Sequence, residues 1–252
     1  MTDAQHALAR GLPGGIAVSR LRVYDWEAAD GLRGGSPHLH TASTEGYVVL
    51  GGSGAVETLS SQGLQRTALT PGTIAWFTPG TVHRLINADG ELDILTLMSN
   101  SGLPEAGDAV MTFPLDVLRD PERYRDAASL SRGLGATKPD DAAMAVAARE
   151  RRDLALEGFA ELRDRAEHDL AGTLSDLYSA AARLVAPRAT TWAGIVDSGP
   201  GAALDATARQ LAALTAGEPG QLTSSGIRSI RPQDAEGWGM CGRLTVWGVG
   251  AH

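Results

Sequence analysis

What most limits the folds open to this chain is the succession of short apolar segments in its first 113 residues. The segments 46–50, 55–59, 64–69, 74–77, 82–87 and 92–98 are each four to seven residues long and rich in valine, isoleucine, leucine and aromatics. Between them stand turn formers: Gly51-Gly52-Ser53-Gly54, Gln62-Gly63, Pro71-Gly72, Pro79-Gly80 and Asp89-Gly90. Strands this short, closely spaced and broken by glycine turns predict an antiparallel sandwich or barrel. No stretch between them is long enough for a crossover helix, which excludes a doubly wound parallel sheet.

The texture changes at Pro114. A short helix is expected over 114–125, with a restart at Asp120-Pro121. After a loop at 133–139, Asp140 or Asp141 can cap a long helical run. Phe159, Leu162, Ala166, Leu170, Leu174, Leu177, Ala181 and Leu184 recur every three or four positions, which is one face of a helix. Gly158 and Gly172 interrupt it, so two helices or one bent helix satisfy the pattern, and Pro187 is expected to end it. A further helix is expected over 202–216, closed by Gly217, and β structure again over 222–249, ending in Leu244-Thr245-Val246-Trp247. The expected organisation is a β domain at 1–113 and a mainly helical extension at 114–252. Its last strands would pack back on the barrel or on a partner subunit, because a lone hairpin is barely stable.

Charge narrows the function classes. Thirty acidic residues against 22 Lys and Arg give a net charge of −8. The stretch 140–186 carries ten acidic and six basic residues, the wrong sign for a DNA reader. Nucleic acid is therefore excluded as a partner, and the helical face is expected to serve packing or dimerisation. No run approaches the about 18 to 20 apolar residues that span a bilayer. The segment 1–10 shows no apolar leader, and the one cysteine, Cys241, forbids an internal disulfide. A cytoplasmic protein without membrane contact is the expectation.

Of six histidines, His6 and His252 lie near the ends and His168 sits among helical charges. The other three are placed differently. His38 and His40 are two apart, so on a strand both face the same side. Glu45 follows shortly after, and His83 comes later, after Pro79-Gly80. The residues resemble the motifs of the cupin superfamily. Its first motif, G-x5-H-x-H-x3–4-E-x6-G, is met by His38, His40, Glu45 and Gly52. Its second, G-x5-P-x-G-x2-H-x3-N, is met by Gly72, Gly80, His83 and Asn87. Leu32 stands where the first glycine belongs, between Gly31 and Gly34, and Thr78 stands where the proline belongs, with Pro79 next to it. Neither departure touches a ligand position.

The resemblance covers 31–98 and implies an antiparallel cupin β-barrel (a double-stranded β-helix) in which His38, His40, Glu45 and His83 hold one divalent transition metal. Three imidazoles and a carboxylate suit iron, manganese, nickel, cobalt, copper or zinc, with iron favoured, and leave room for substrate. Glu45 and Tyr47, which share strand parity, are the candidate catalytic residues. Trp76 is expected in the pocket wall or the core, Arg84 toward solvent or a partner chain, and Asn87 in a turn. Cys241 is expected to be buried rather than nucleophilic, and no role follows for Met98 or Asn100.

The resemblance implies a metalloenzyme acting on a small molecule, and a homodimer. A dioxygenase-type oxidoreductase comes first, because the barrel has no lysine and only Arg66 and Arg84 at its centre to hold a phosphosugar. The alternatives are a sugar isomerase or lyase, for which Glu57 or Glu91 would be the base, and a non-enzymatic ligand-binding or storage protein.

Overall fold

The computed structural model describes residues 12–130, 140–233 and 236–247. His6, His252, the 133–139 loop and the end of the 222–249 run lie outside the described residues. Nine strands come first: β1 (Ala17–Val23), β2 (His38–His40), β3 (Glu45–Gly51), β4 (Gly54–Ser60), β5 (Gly63–Leu69), β6 (Ile74–Phe77), β7 (Val82–Asn87), β8 (Asp93–Met98) and β9 (Ala109–Met111). Helices α1 (Leu115–Leu118), α2 (Pro121–Ala128), α3 (Asp141–His168), α4 (Leu170–Val196) and α5 (Ala202–Thr215) follow, then β10 (Gly237–Trp238) and β11 (Gly242–Trp247).

The strands form two antiparallel sheets, in the orders β10-β11-β1-β8-β3-β6 and β5-β4-β7-β2-β9. This is the jelly-roll arrangement of a double-stranded β-helix, with a helical region after it. In β3, residues 45, 47 and 49 are buried and 46 and 48 less so, the alternation of a strand with one face inward. β7 is buried at all six positions. Its inward side, with Leu85, joins Leu21, Tyr47, Val49, Val56 and Ile94 inside the barrel. Its outward side, with Val82, packs under the helices together with Leu39, Val110, Phe159, Leu162 and Leu177. The second sheet is thus a wall between two apolar clusters.

Asp120 caps α2 and Asp140 caps α3 through backbone N–H groups of their first turns. The long run is two helices, and the break falls at Asp169, which caps α4, rather than at either glycine. Pro187 does not end a helix: α4 continues to Val196. Pro187 sits on the solvent side, and the carbonyl it leaves unbonded belongs to the exposed Arg183, so water can take its place. Nor is 222–249 β from its start, since 220–224 is a 3₁₀ turn and strand begins only at Gly237. β11 pairs with β1, Leu244 opposite Leu21 and Val246 opposite Ser19, and so closes one side of the barrel. Among the described residues no helix is long and apolar enough to cross a membrane.

Candidate metal centre

β2 and β7 run side by side with His38 directly opposite His83. Because partners across a ladder share a face, both imidazoles enter the barrel, and His40 follows by strand parity. Glu45 opens β3 on the other sheet, opposite Met98 and Phe77. The four residues are at most 6% exposed, and one donor atom from each lies within 4.8 Å of all the others.

The outer ring nitrogens fix how the inner ones point. His38 Nδ1 donates to the Ser36 carbonyl at 2.9 Å, and His83 Nδ1 to the Thr81 carbonyl at 3.1 Å. His40 Nδ1 faces the Asp108 carboxylate at 3.3 Å. With the proton held on Nδ1, His38 and His83 each turn an Nε2 lone pair inward, and His40 Nε2 points to the same place. His38 and His83 Nε2 are 3.0 Å apart, and Glu45 Oε2 is 3.1 Å from His83 Nε2 and 3.2 Å from His40 Nε2. Lone pairs this close repel unless a cation lies between them. Glu45 Oε2 is buried and makes no hydrogen bond. Donors about 2.1 Å from one ion and at right angles to each other are about 3 Å apart, so the residues present fit a transition metal.

Electrostatics agree. Burial, then the neighbouring His83 and His40, hold His38 well below the usual imidazole value. Burial would also depress His40, but the Asp108 and Glu45 carboxylates override it and push it up to about 9, so a metal ion binding at His40 Nε2 must displace a proton. Burial would raise Glu45, but His83 and His40 bring it far below the usual carboxylate range, so it stays charged. Burial, then the Glu45 charge, drives Tyr47 well above a normal phenol, so it keeps its proton.

A cavity of about 140 Å³ adjoins the cluster, lined by His38, His40, Glu45 and Tyr47 and otherwise mainly by apolar side chains. Sequence reasoning missed several of its walls. Met240, Cys241, Leu244 and Val246 come from the C-terminal strands, and Thr96, Met98 and Glu105 from β8 and the loop after it. Nothing local in the sequence announces a wall supplied from so far along the chain, with Cys241 and His38 separated by 203 positions. Asp108 was missed too, although it accepts from the N–H groups of Thr41, Ala42 and Ser43 at 2.7 to 3.0 Å while facing His40.

Other expectations need correction. Trp76 is neither wall nor core but 72% exposed; Phe77, one residue on, packs its ring 4.2 Å from that of His83. Arg84 does not reach solvent: it is 1% exposed and grips Asp30 through both terminal nitrogens. Glu57 is buried beside Arg84 and Arg66, and neither it nor Glu91 lines the cavity. Asn87 donates to the Val23 carbonyl and accepts from Leu92 N–H, tying the β7 end to its neighbours. Cys241 is buried, its thiol pushed up by burial and then by Glu45, with Sγ 3.8 Å from His38 Nδ1.

Residues 26–98 match the family model of the cupin domain. No curated protein matches the chain. Among solved structures it is similar to a TDP-fucose-3,4-ketoisomerase from Campylobacter jejuni, at 16% identity and TM-score 0.27, over 33% of this chain and 58% of that one. A double-stranded β-helix protein from Klebsiella pneumoniae gives 18% and 0.27, over 34% and 63%. An 11S globulin from Wrightia tinctoria gives 17% and 0.33, over 40% and 26%. The chain spans about three fifths of the length of the first two. With the family match lying on the strands that carry all four donors, residues 26–98 form a cupin domain.

Proposed function

We propose that the chain is a metal-dependent cupin enzyme of the dioxygenase type, with His38, His40, Glu45 and His83 as the ligands of one divalent ion, iron by preference. The observation that carries this reading is the convergence of three Nε2 atoms and a buried carboxylate oxygen, Glu45 Oε2, that accepts no hydrogen bond among the described residues. When bound, a ferrous ion supplies Lewis acidity toward an enol or phenol oxygen and electrons toward dioxygen. The rest falls to the chain itself. Ser36, Thr81 and Asp108 keep the imidazole protons outward and hold the rings in place. Tyr47, protonated beside Glu45, offers a hydrogen bond to a substrate oxygen and no base. The apolar walls of the cavity exclude water, which strengthens each polar contact inside.

A second reading has one observation in its favour. An isomerase or lyase needs a proton-moving base beside the metal, and Glu105 is a carboxylate at the cavity besides Glu45. The test separates them. His83→Ala should stay folded and lose the metal; unchanged metal content removes the ligand assignment. Ferrous-loaded protein should then consume oxygen with enolic or catechol-like compounds. Silence there, with aldose–ketose conversion under manganese that Glu105→Gln abolishes, favours the second reading.

A further inference from the structure

Thr96 is 5% exposed, and its Oγ1 is buried without a hydrogen-bond partner. A buried hydroxyl left unpaired is costly, and valine would fill the same space without the penalty. The strand register shows where the residue lies. Thr96 stands opposite Tyr47 on β3 and opposite Ser19 on β1, and residues paired across a ladder share a face. Three hydroxyl-bearing residues therefore form a row across three neighbouring strands, ending two positions from Glu45. All three line the same cavity as the candidate metal ligands.

Among the described residues the remaining lining is apolar except for Cys241 and Glu105, and it includes no lysine or arginine. Beyond the metal, an anion entering here meets the Glu105 carboxylate and, among the described residues, no basic side chain that could pair with it. The volume, about 140 Å³, is close to the roughly 150 Å³ of an apolar cavity that accepts benzene.

On this geometry, and resting on the metal reading above, we propose that Thr96 is a substrate-positioning residue. Its hydroxyl is the second anchor, beyond the metal, for an oxygen-chelating molecule that is uncharged in solution and places one six-membered ring in this space. The ring occupies the apolar space, its chelating oxygens face the donors of β2, β3 and β7, and a polar edge meets Thr96.

Cobalt-loaded protein titrated with catechol, and with 3,4-dihydroxybenzoate as its anionic counterpart, tests this. Catechol should bind, and dihydroxybenzoate should bind at least about tenfold more weakly for want of a basic side chain to meet its carboxylate. Thr96→Val should keep its cobalt, melt no lower than wild type, and weaken catechol about tenfold, as expected for one lost hydrogen bond. Thr96→Ser, which keeps the hydroxyl, should restore most of that affinity. Unchanged catechol affinity in Thr96→Val overturns the positioning role. So does a Thr96→Val protein that melts lower or fails to fold, because its hydroxyl was then holding the barrel. Loaded wild type that ignores catechol, or prefers the anion, overturns the substrate class. A wild type that takes up no cobalt instead brings down the metal reading itself.

Discussion

Asp108 is fully buried and yet stays charged. Burial would raise its carboxyl, but contact with His40 and hydrogen bonds from Thr41 and Ser43 hold it far below the usual range. One side chain thus both pins the β2–β3 turn and orients His40. Asp108→Asn keeps one acceptor oxygen and puts an amide where backbone N–H groups already crowd. Metal affinity should fall about 10- to 100-fold, read by competition with a chelator, and stability by about 1 to 3 kcal/mol. Affinity that holds while stability drops would confine Asp108 to the turn. Asp30 presents the opposite case, a half-exposed carboxylate serving a buried Arg84. Burial alone would raise it, but the guanidinium wins and lowers it. A carboxyl lowered in the folded state adds stability above its unfolded value of about 4 and loses it as the pH falls. Asp30→Asn should therefore cost about 1 kcal/mol at neutral pH, screened by water, with the gap to wild type closing below about pH 4 in acid-unfolding curves.

Among the elements, strand parity made the donor set legible: His38 and His40 two apart, Glu45 and Tyr47 two apart, each pair facing one way. It failed where a strand is covered on both faces. Arg84 has outward parity, as expected, but outward there means under the Asp30 loop rather than in water. The helical stripe from Phe159 to Leu184 was readable because its residues do bury against the second sheet; the position of the break was not, because an aspartate cap set it and not a weak glycine. Gly158 instead serves close approach. A Cβ there would overlap the Thr112 carbonyl oxygen and the Phe113–Pro114 backbone, while the Thr112 hydroxyl donates to the Ala155 carbonyl at 3.0 Å. Gly158→Ala should cost about 1 to 3 kcal/mol by overpacking. Gly194, exposed in α4 with open space where its Cβ would go, should behave oppositely: alanine there should add up to about 1 kcal/mol of helix stability. Denaturant titrations compare the two directly, and equal effects would show that helix propensity alone governs Gly158.

At the scale of the molecule, the change of texture at Pro114 suggested two parts, and only long-range contacts could tell how firmly they join. Arg152 in α3 donates to the carbonyls of Trp26 and Glu27, and Arg151 to that of Gly239. Trp26 stacks on Tyr24 at 4.0 Å and on Trp238 at 5.8 Å, and the Arg149 guanidinium lies over the Trp26 ring at 4.6 Å. One helix thereby holds the first barrel strand's exit and the entry to β11, whose residues wall the cavity. Undocking the helices would bare Phe159, Leu162 and Leu177 on one side and Leu39 and Val110 on the other, and Leu39 lies between two of the candidate metal ligands. Helix loss and barrel loss should therefore be a single event. Far-ultraviolet circular dichroism at the helical band and near-ultraviolet dichroism from the Tyr24–Trp26–Trp238 stack should trace one urea transition. Metal loading should move both midpoints together, by up to about 4 kcal/mol at a thousandfold excess over Kd. Helical signal lost first, with the aromatic signal and metal retained, would show a barrel that stands without its extension.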